Sequence, residues 1–191
     1  MFKKMQRQLT LVAVVGSGLI LLLLMSLSLH YTSQRLEEQM DERFRSAVRS
    51  VATHFDKRTY IDTSWILKTE AQHQVYLSIE MAGQPISFTA MTPQRELFMA
   101  ETKTIGTREH GFSFSEPPAS LLAETSFFHV TSPSSARAAL IKIPWEKEWI
   151  VVTVVKDKAP EQQQLTATSF RFALLSVIAL GLLGTFFWFF S

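Results

Sequence analysis

Four carboxylates, Glu37, Glu38, Asp41 and Glu42, are the densest set of chemically capable groups in the chain. On a helix, Glu37 and Asp41 are neighbours one turn apart, as are Glu38 and Glu42, a spacing that could hold a hard cation. Arg35, Arg43 and Arg45 interleave with them, so the plainer reading is a solvated charged face. The histidines are His30, His54, His73, His110 and His129, and no two stand at i, i+4. No metal site is expected. Cys is absent, which excludes disulfides, zinc-thiolate centres and thiol catalysis. Asn is absent too, so there is no N-glycosylation acceptor. Neither a Gly-x-x-x-x-Gly-Lys phosphate loop nor a Gly-rich dinucleotide fingerprint occurs. The residues therefore predict no catalytic site and no cofactor.

Two other groups of residues could do non-catalytic work. Phe88, Phe112 and Phe114, with Phe98, Phe127 and Phe128, could line an apolar ligand pocket, although core packing is their default role. Trp145 and Trp149 flank Glu146-Lys147-Glu148, and an exposed aromatic hairpin tip there could touch lipid headgroups or a partner. Small residues at one-turn spacing, Ala13 with Ser17 and Gly181 with Thr185, are candidates for close helix–helix packing.

The elements that must position these groups follow from composition and periodicity. The chain has 191 residues, 47% apolar and only 19% charged, with a mean hydropathy of +0.11. That balance leans towards a membrane protein. Leu9–Leu29 is a run of 21 residues without a charge, and Phe172–Ser191 is another of 20. A 20-residue helix is about 30 Å long, the hydrocarbon thickness of a bilayer. The first run exceeds the length of a signal-peptide core and lacks a good cleavage site, so an uncleaved anchor is expected. Lys3, Lys4 and Arg7 place the N-terminus in the cytoplasm by the positive-inside rule. The predicted organisation is a cytoplasmic tip (1–8), a first span (9–29), an extracytoplasmic domain (30–171) and a second span (172–191). No basic flank follows Phe190 to support the second span independently, and Lys158 and Arg171 sit on its outer side.

The net charge of +2 acquires an address from this division. The tip carries three positive side chains and no negative one, whereas 30–171 carries 16 Lys and Arg against 17 Asp and Glu. Nucleic-acid binding needs a basic patch, and an outer segment of net −1 argues against it. Lipid is the partner that the composition implies.

Within 30–171, Leu36, Met40, Phe44, Val48, Val51 and Phe55 recur at spacings of 4, 4, 4, 3 and 4. This is an amphipathic helix with no Gly or Pro between it and the first span, which predicts one rod from about Leu9 to about Phe55. Its apolar stripe packs on its own domain, or forms part of a dimer seam. A short helix over Ser64–Gln72 is expected next. Val75–Met81 alternates as a half-buried strand, followed by a turn at 82–85 and a return strand over Ile86–Thr89. Pro93–Thr104 reads as a helix, and Phe112 and Phe114 as a possible strand. Ser126–Thr131, Ala136–Ile143 and Trp149–Val155 complete the strands. The last is almost wholly apolar and β-branched, so it should be central and covered on both faces. The fold class is α+β: a small antiparallel sheet with helical connections. Pairing order is not legible.

This layout resembles the N-terminal sensory region of bacterial, Firmicutes-type two-component sensor histidine kinases. The resemblance rests on Lys3-Lys4-Met5-Gln6-Arg7-Gln8-Leu9-Thr10 entering a Leu-rich span, and on Leu174–Gly181 leading to Phe187-Trp188-Phe189-Phe190. It rests also on Trp65-Ile66-Leu67 before Leu77-Ser78-Ile79, followed by Gly83-Gln84-Pro85-Ile86. It covers the whole chain, through apolar and degenerate motifs. It implies a PAS-like extracytoplasmic domain, a homodimer, and an extracellular ligand or stimulus that the sequence does not identify. It also implies a response regulator, reached only through a cytoplasmic kinase. The chain departs from the family at the kinase. No His is followed by Glu and then Pro four positions later, so this chain is not expected to autophosphorylate. The missing basic flank after Phe190 favours the N-terminal portion of a longer protein. The rival reading is a two-span anchor presenting a small outer domain to an envelope complex.

Overall fold

The computed structural model describes residues 2–56, 60–86, 92–119, 122–131, 135–145 and 148–190. The elements are α1 (Phe2–Asp56), α2 (Thr63–His73), β1 (Tyr76–Met81), β2 (Gln84–Ile86), α3 (Pro93–His110), β3 (Glu124–Val130), β4 (Ala136–Trp145), β5 (Glu148–Asp157) and α4 (Ala159–Phe190). They form two compact units: Met40–Pro160, and Met1–Gln39 with Glu161–Ser191. The sheet unit is shorter at both ends than 30–171, because residues 30–39 and 161–171 belong to α1 and α4.

Both predicted apolar runs fall in long helices. α1 is unbroken over 55 residues and α4 over 32. Each is long and apolar enough to cross a membrane. Within their own unit they run antiparallel and touch. A Cβ at Gly18 would lie 3.2 Å from Leu180 Cδ2, and the Ser176 hydroxyl reaches Met25 Sδ.

The other unit is a five-stranded antiparallel sheet in the order β2-β1-β5-β4-β3. As expected from its β-branched run, β5 is central, and Ile150–Val155 are all buried. Strand alternation gives the sheet two apolar faces. Leu77, Ile79, Ile141, Ile143, Val152 and Val154 meet Phe44, Val48, Val51 and Phe55 of α1 and Ile66 of α2. Ala138, Leu140, Val151 and Val155 meet Phe98 and Met99 of α3. The α1 stripe thus packs on its own domain from Phe44 onwards.

Five expectations change. β1 is covered on both faces rather than one, since Glu80 is 4% exposed and pairs with Lys103 of α3. The turn after β1 is only two residues, Ala82 (φ 48°) and Gly83 (φ 80°), the geometry of a type I′ hairpin. The return strand therefore starts at Gln84 and includes Pro85, tolerated because β2 is an edge strand; 87–91 lie outside the described residues.

α3 runs six residues past Thr104, to His110, where Gly111 (φ 63°) caps it. Gly106 lets α3 approach β4, since a Cβ there would clash with Leu140 Cδ1. Consequently Phe112 and Phe114 follow a helix cap and form no strand. The tryptophans do not form an exposed tip: Trp145 is 8% exposed, and half-buried Trp149 donates its indole N–H to Phe114 O at 3.3 Å. Neighbouring positions in a hairpin point to opposite faces, so Trp145 joins the α1 core and Trp149 the α3 core.

Candidate functional site

One row of the sheet is basic where its neighbours are apolar. Register pairs Lys156 of β5 with Arg137 of β4, and Arg137 with His129 of β3. The three side chains therefore share the face that α1 covers. Like charges directly opposite each other are destabilising, so such a row needs a counter-charge. Asp41 of α1 supplies one, accepting the Arg137 Nε–H at 2.5 Å. The Arg137 side chain is 3% exposed and that of Asp41 40%. A guanidinium cannot shed its proton, so burial commits Arg137 to this carboxylate. Beside the pair, the Arg45 guanidinium lies 5.3 Å from the Phe127 ring centroid. Phe44 meets the same ring edge-on at 6.3 Å.

Two clefts flank Phe44. A small one of about 110 Å³ is lined by Asp41, Arg45, Phe127, His129 and Arg137. A larger one of about 350 Å³ lies among α1, the end of α2 and the end of β5. Arg43, Ser46, Gln72, His73, Gln74 and Lys156 line it together with Phe44. That lining contains cations, amides and a hydroxyl but no carboxylate. Gln74 caps α2 in the left-handed region (φ 53°), its N–H bonded to Glu70 O. Glycine occupies such a cap at least cost, so a side chain is kept there against backbone preference.

The residues singled out from sequence fall elsewhere. Phe112 is 7% exposed in the α3 core, its ring 5.1 Å from that of Phe114. Lys142 Nζ sits 4.8 Å from the Phe112 ring and Lys103 Nζ 5.8 Å from that of Phe114, so these aromatics cover lysines. Phe88 lies outside the described residues. Lys3, Lys4 and Arg7 lie in the first turns of α1. The Ser17 hydroxyl donates to Ala13 O at 2.6 Å, and that of Thr185 to Gly181 O at 3.0 Å. A Cβ at Gly181 would meet nothing within 4 Å, and the tight approach is at Gly18. Among the described residues, no three His, Asp or Glu side chains converge to hold a metal ion.

The sequence reading missed Arg137, His129, Lys156 and the larger cleft. One signal was present: Arg137 stands alone in Ala136–Ile143, a run otherwise apolar up to Lys142, and a buried charge requires a partner. Its place beside Lys156 depends on register, which no local pattern encodes. No protein family, no curated protein and no solved structure matches this chain.

Proposed function

We propose that the chain is the signal-input module of a two-component sensor histidine kinase. It detects an extracellular stimulus in its sheet unit and passes it inward through two membrane-spanning helices. The observation carrying this reading is that α1 is one continuous helix whose last turns belong to the sheet core, and that a single residue separates the central strand from α4. α1 continues unbroken into the core through Phe44, Val48, Val51 and Phe55. β5, the central strand, is separated from α4 by Lys158 alone. Asp157 Oδ1 accepts the Ala159 N–H at 2.7 Å, and the Lys158 N–H donates to Ser135 O at 3.0 Å. A shift in the sheet then becomes a rigid displacement of the helices.

In this reading the sheet unit is an extracytoplasmic, PAS-like domain. The antiparallel β2-β1-β5-β4-β3 order, with helices on both faces, supports that assignment. The protein acts as a homodimer in the cell membrane with both termini in the cytoplasm. It performs no chemistry itself, and a response regulator is reached only through an attached kinase.

The test joins the chain after Ser191 to a histidine-kinase core and measures phosphotransfer in membranes. Inserting Gly-Gly-Gly after Pro160 should uncouple the response. An unchanged response would exclude the rigid-helix mechanism, and failure of the chain to dimerise would favour the two-span anchor. Because the chain lacks Cys, orientation can be read from single introduced thiols. Thr125→Cys, in β3, should react with an impermeant maleimide added outside intact cells.

A further inference from the structure

We propose that α3 passes a change in the sheet unit to the start of α4, and that Gln94 and Asp157 form the joint between the two helices. As a signalling device this rests on the input-module reading above. As a mechanical joint it stands without that reading.

One carboxylate holds three elements together. Asp157 ends β5. Its Oδ1 accepts the N–H of Ala159, the first residue of α4, at 2.7 Å. Its Oδ2 accepts from Gln94 Nε2 at 2.9 Å, and Gln94 stands in the first turn of α3. The first N–H groups of a helix have no carbonyl partner within it, so a side chain that serves one of them helps to set where the helix begins. Moving Gln94 therefore pulls on the group from which α4 starts. Arg95, beside Gln94, ties the same turn to Glu70 of α2 and to Leu77 O of β1. Neighbouring residues of α3 thus reach α2, β1 and the β5–α4 junction.

The rest of α3 is held differently. Phe98 and Met99 make apolar contacts with the sheet, Lys103 reaches Glu80, and Gly106 brings the helix against Leu140. Thr102, one turn before Gly106, is wholly buried, and so is Thr153, the neighbour of Leu140 across the β4–β5 pair. Among the described residues, neither hydroxyl has a hydrogen-bond partner. Buried hydroxyls without partners cost free energy, so a placement of α3 that satisfies them competes with this one. A helix carries such a shift as a rod. From Gly106 to Gln94 the distance is about 18 Å at the helical rise.

The experiment needs no stimulus, because the shift is imposed by mutation. Gly106→Ala pushes α3 against Leu140, and Thr102→Val, which keeps the side-chain shape, perturbs the same seam should the first variant fail to fold. Gln94→Met breaks the joint. Arg108→Gln is the control, its side chain being 77% exposed on α3. Circular dichroism checks that each variant is folded. Hydrogen exchange by mass spectrometry is then followed at Ala159 and through the first two turns of α4, with the full chain in phosphatidylcholine nanodiscs.

Gly106→Ala should change the exchange rates there at least threefold, and Arg108→Gln should not. In the Gln94→Met background the same substitution should leave those rates as they are in Gln94→Met alone. The proposal is overturned if the start of α4 ignores the perturbation of α3, or if it responds equally with Gln94→Met in place. The same variants, joined to a histidine-kinase core, report phosphotransfer in parallel. Coupled exchange with phosphotransfer unchanged by Gly106→Ala would keep the joint and overturn the input-module reading, so the two failures are distinguishable.

Discussion

The two faces of the sheet are held by different physics. On the α1 face the contacts are apolar from Phe44 to Phe55, and the polar Lys156–Arg137–His129 row stands at one end. On the α3 face, charge is distributed through the packing. Arg95 meets Glu70 at 2.7 Å, with side chains 7% and 12% exposed. Lys103 pairs with Glu80, and Thr102 and Thr153 are wholly buried. The Arg95–Glu70 pair also bonds the sheet backbone. Among the described residues, β2 pairs with Ile79–Met81, and side chains meet the backbone of the first half of β1. There the Leu77 N–H donates to Glu70 Oε1 at 2.7 Å and Leu77 O accepts from Arg95. The two side chains of this ion pair thus hold both backbone groups of Leu77. Apolar packing is non-directional and tolerates sliding, whereas such a pair fixes register.

The largest effect should come from the apolar face. Phe55 is 1% exposed, with ring centroids 5.8 and 6.1 Å from those of Trp65 and Trp145. Phe55→Ala should cost about 3–5 kcal/mol in denaturant unfolding of the full chain in nanodiscs. A loss below about 1 kcal/mol would mean that this cluster does not hold α1 to the sheet.

Next comes the ion pair. Arg95→Met leaves the Glu70 carboxylate and Leu77 O without their partner and should cost about 3 kcal/mol. The double variant Arg95→Met with Glu70→Gln should be less damaging than Arg95→Met alone, because no buried charge is then stranded. Additive losses would show that the two residues act independently. Hydrogen exchange at Leu77 gives a local readout, and protection there should fall in either single variant.

The smallest effect sharpens how α3 meets the sheet. Gly106→Val places methyl groups against Leu140, which is fully buried, and should cost about 1–3 kcal/mol through overpacking. Leu140→Ala in the same chain should recover part of that loss, whereas the two changes would add if α3 stood further from β4.

Much of the fold was legible because its signals are local. The 4, 4, 4, 3, 4 spacing from Leu36 to Phe55 marks α1, and the β-branched run at Ile150–Val155 marks the central strand. Where the reading went astray, a contact distant in sequence had decided the outcome. The helix read over Pro93–Thr104 runs on to His110, because the missing side chain of Gly106 admits Leu140. Glu80 looks like a solvent-facing position, yet Lys103 buries it. Trp145 and Trp149 look like an exposed pair, yet each finds its own core.

The candidate site was scarcely legible, since Arg43, His73 and Lys156 come from three elements and carry no common motif. The sequence by itself determined the two apolar helices, the amphipathic extension of the first, and the approximate positions of the five strands, while also offering one at Phe112 and Phe114 that does not form. These depend on periodicity and on runs of a single character, which are properties of neighbouring residues. Only the tertiary structure decided strand order, the Lys156–Arg137–His129 row, the ion pair that bonds Leu77 of β1, and the carboxylate-free cleft. Each of these is a pairing across long stretches of chain, selected by the joint packing of the whole sheet rather than by any segment alone.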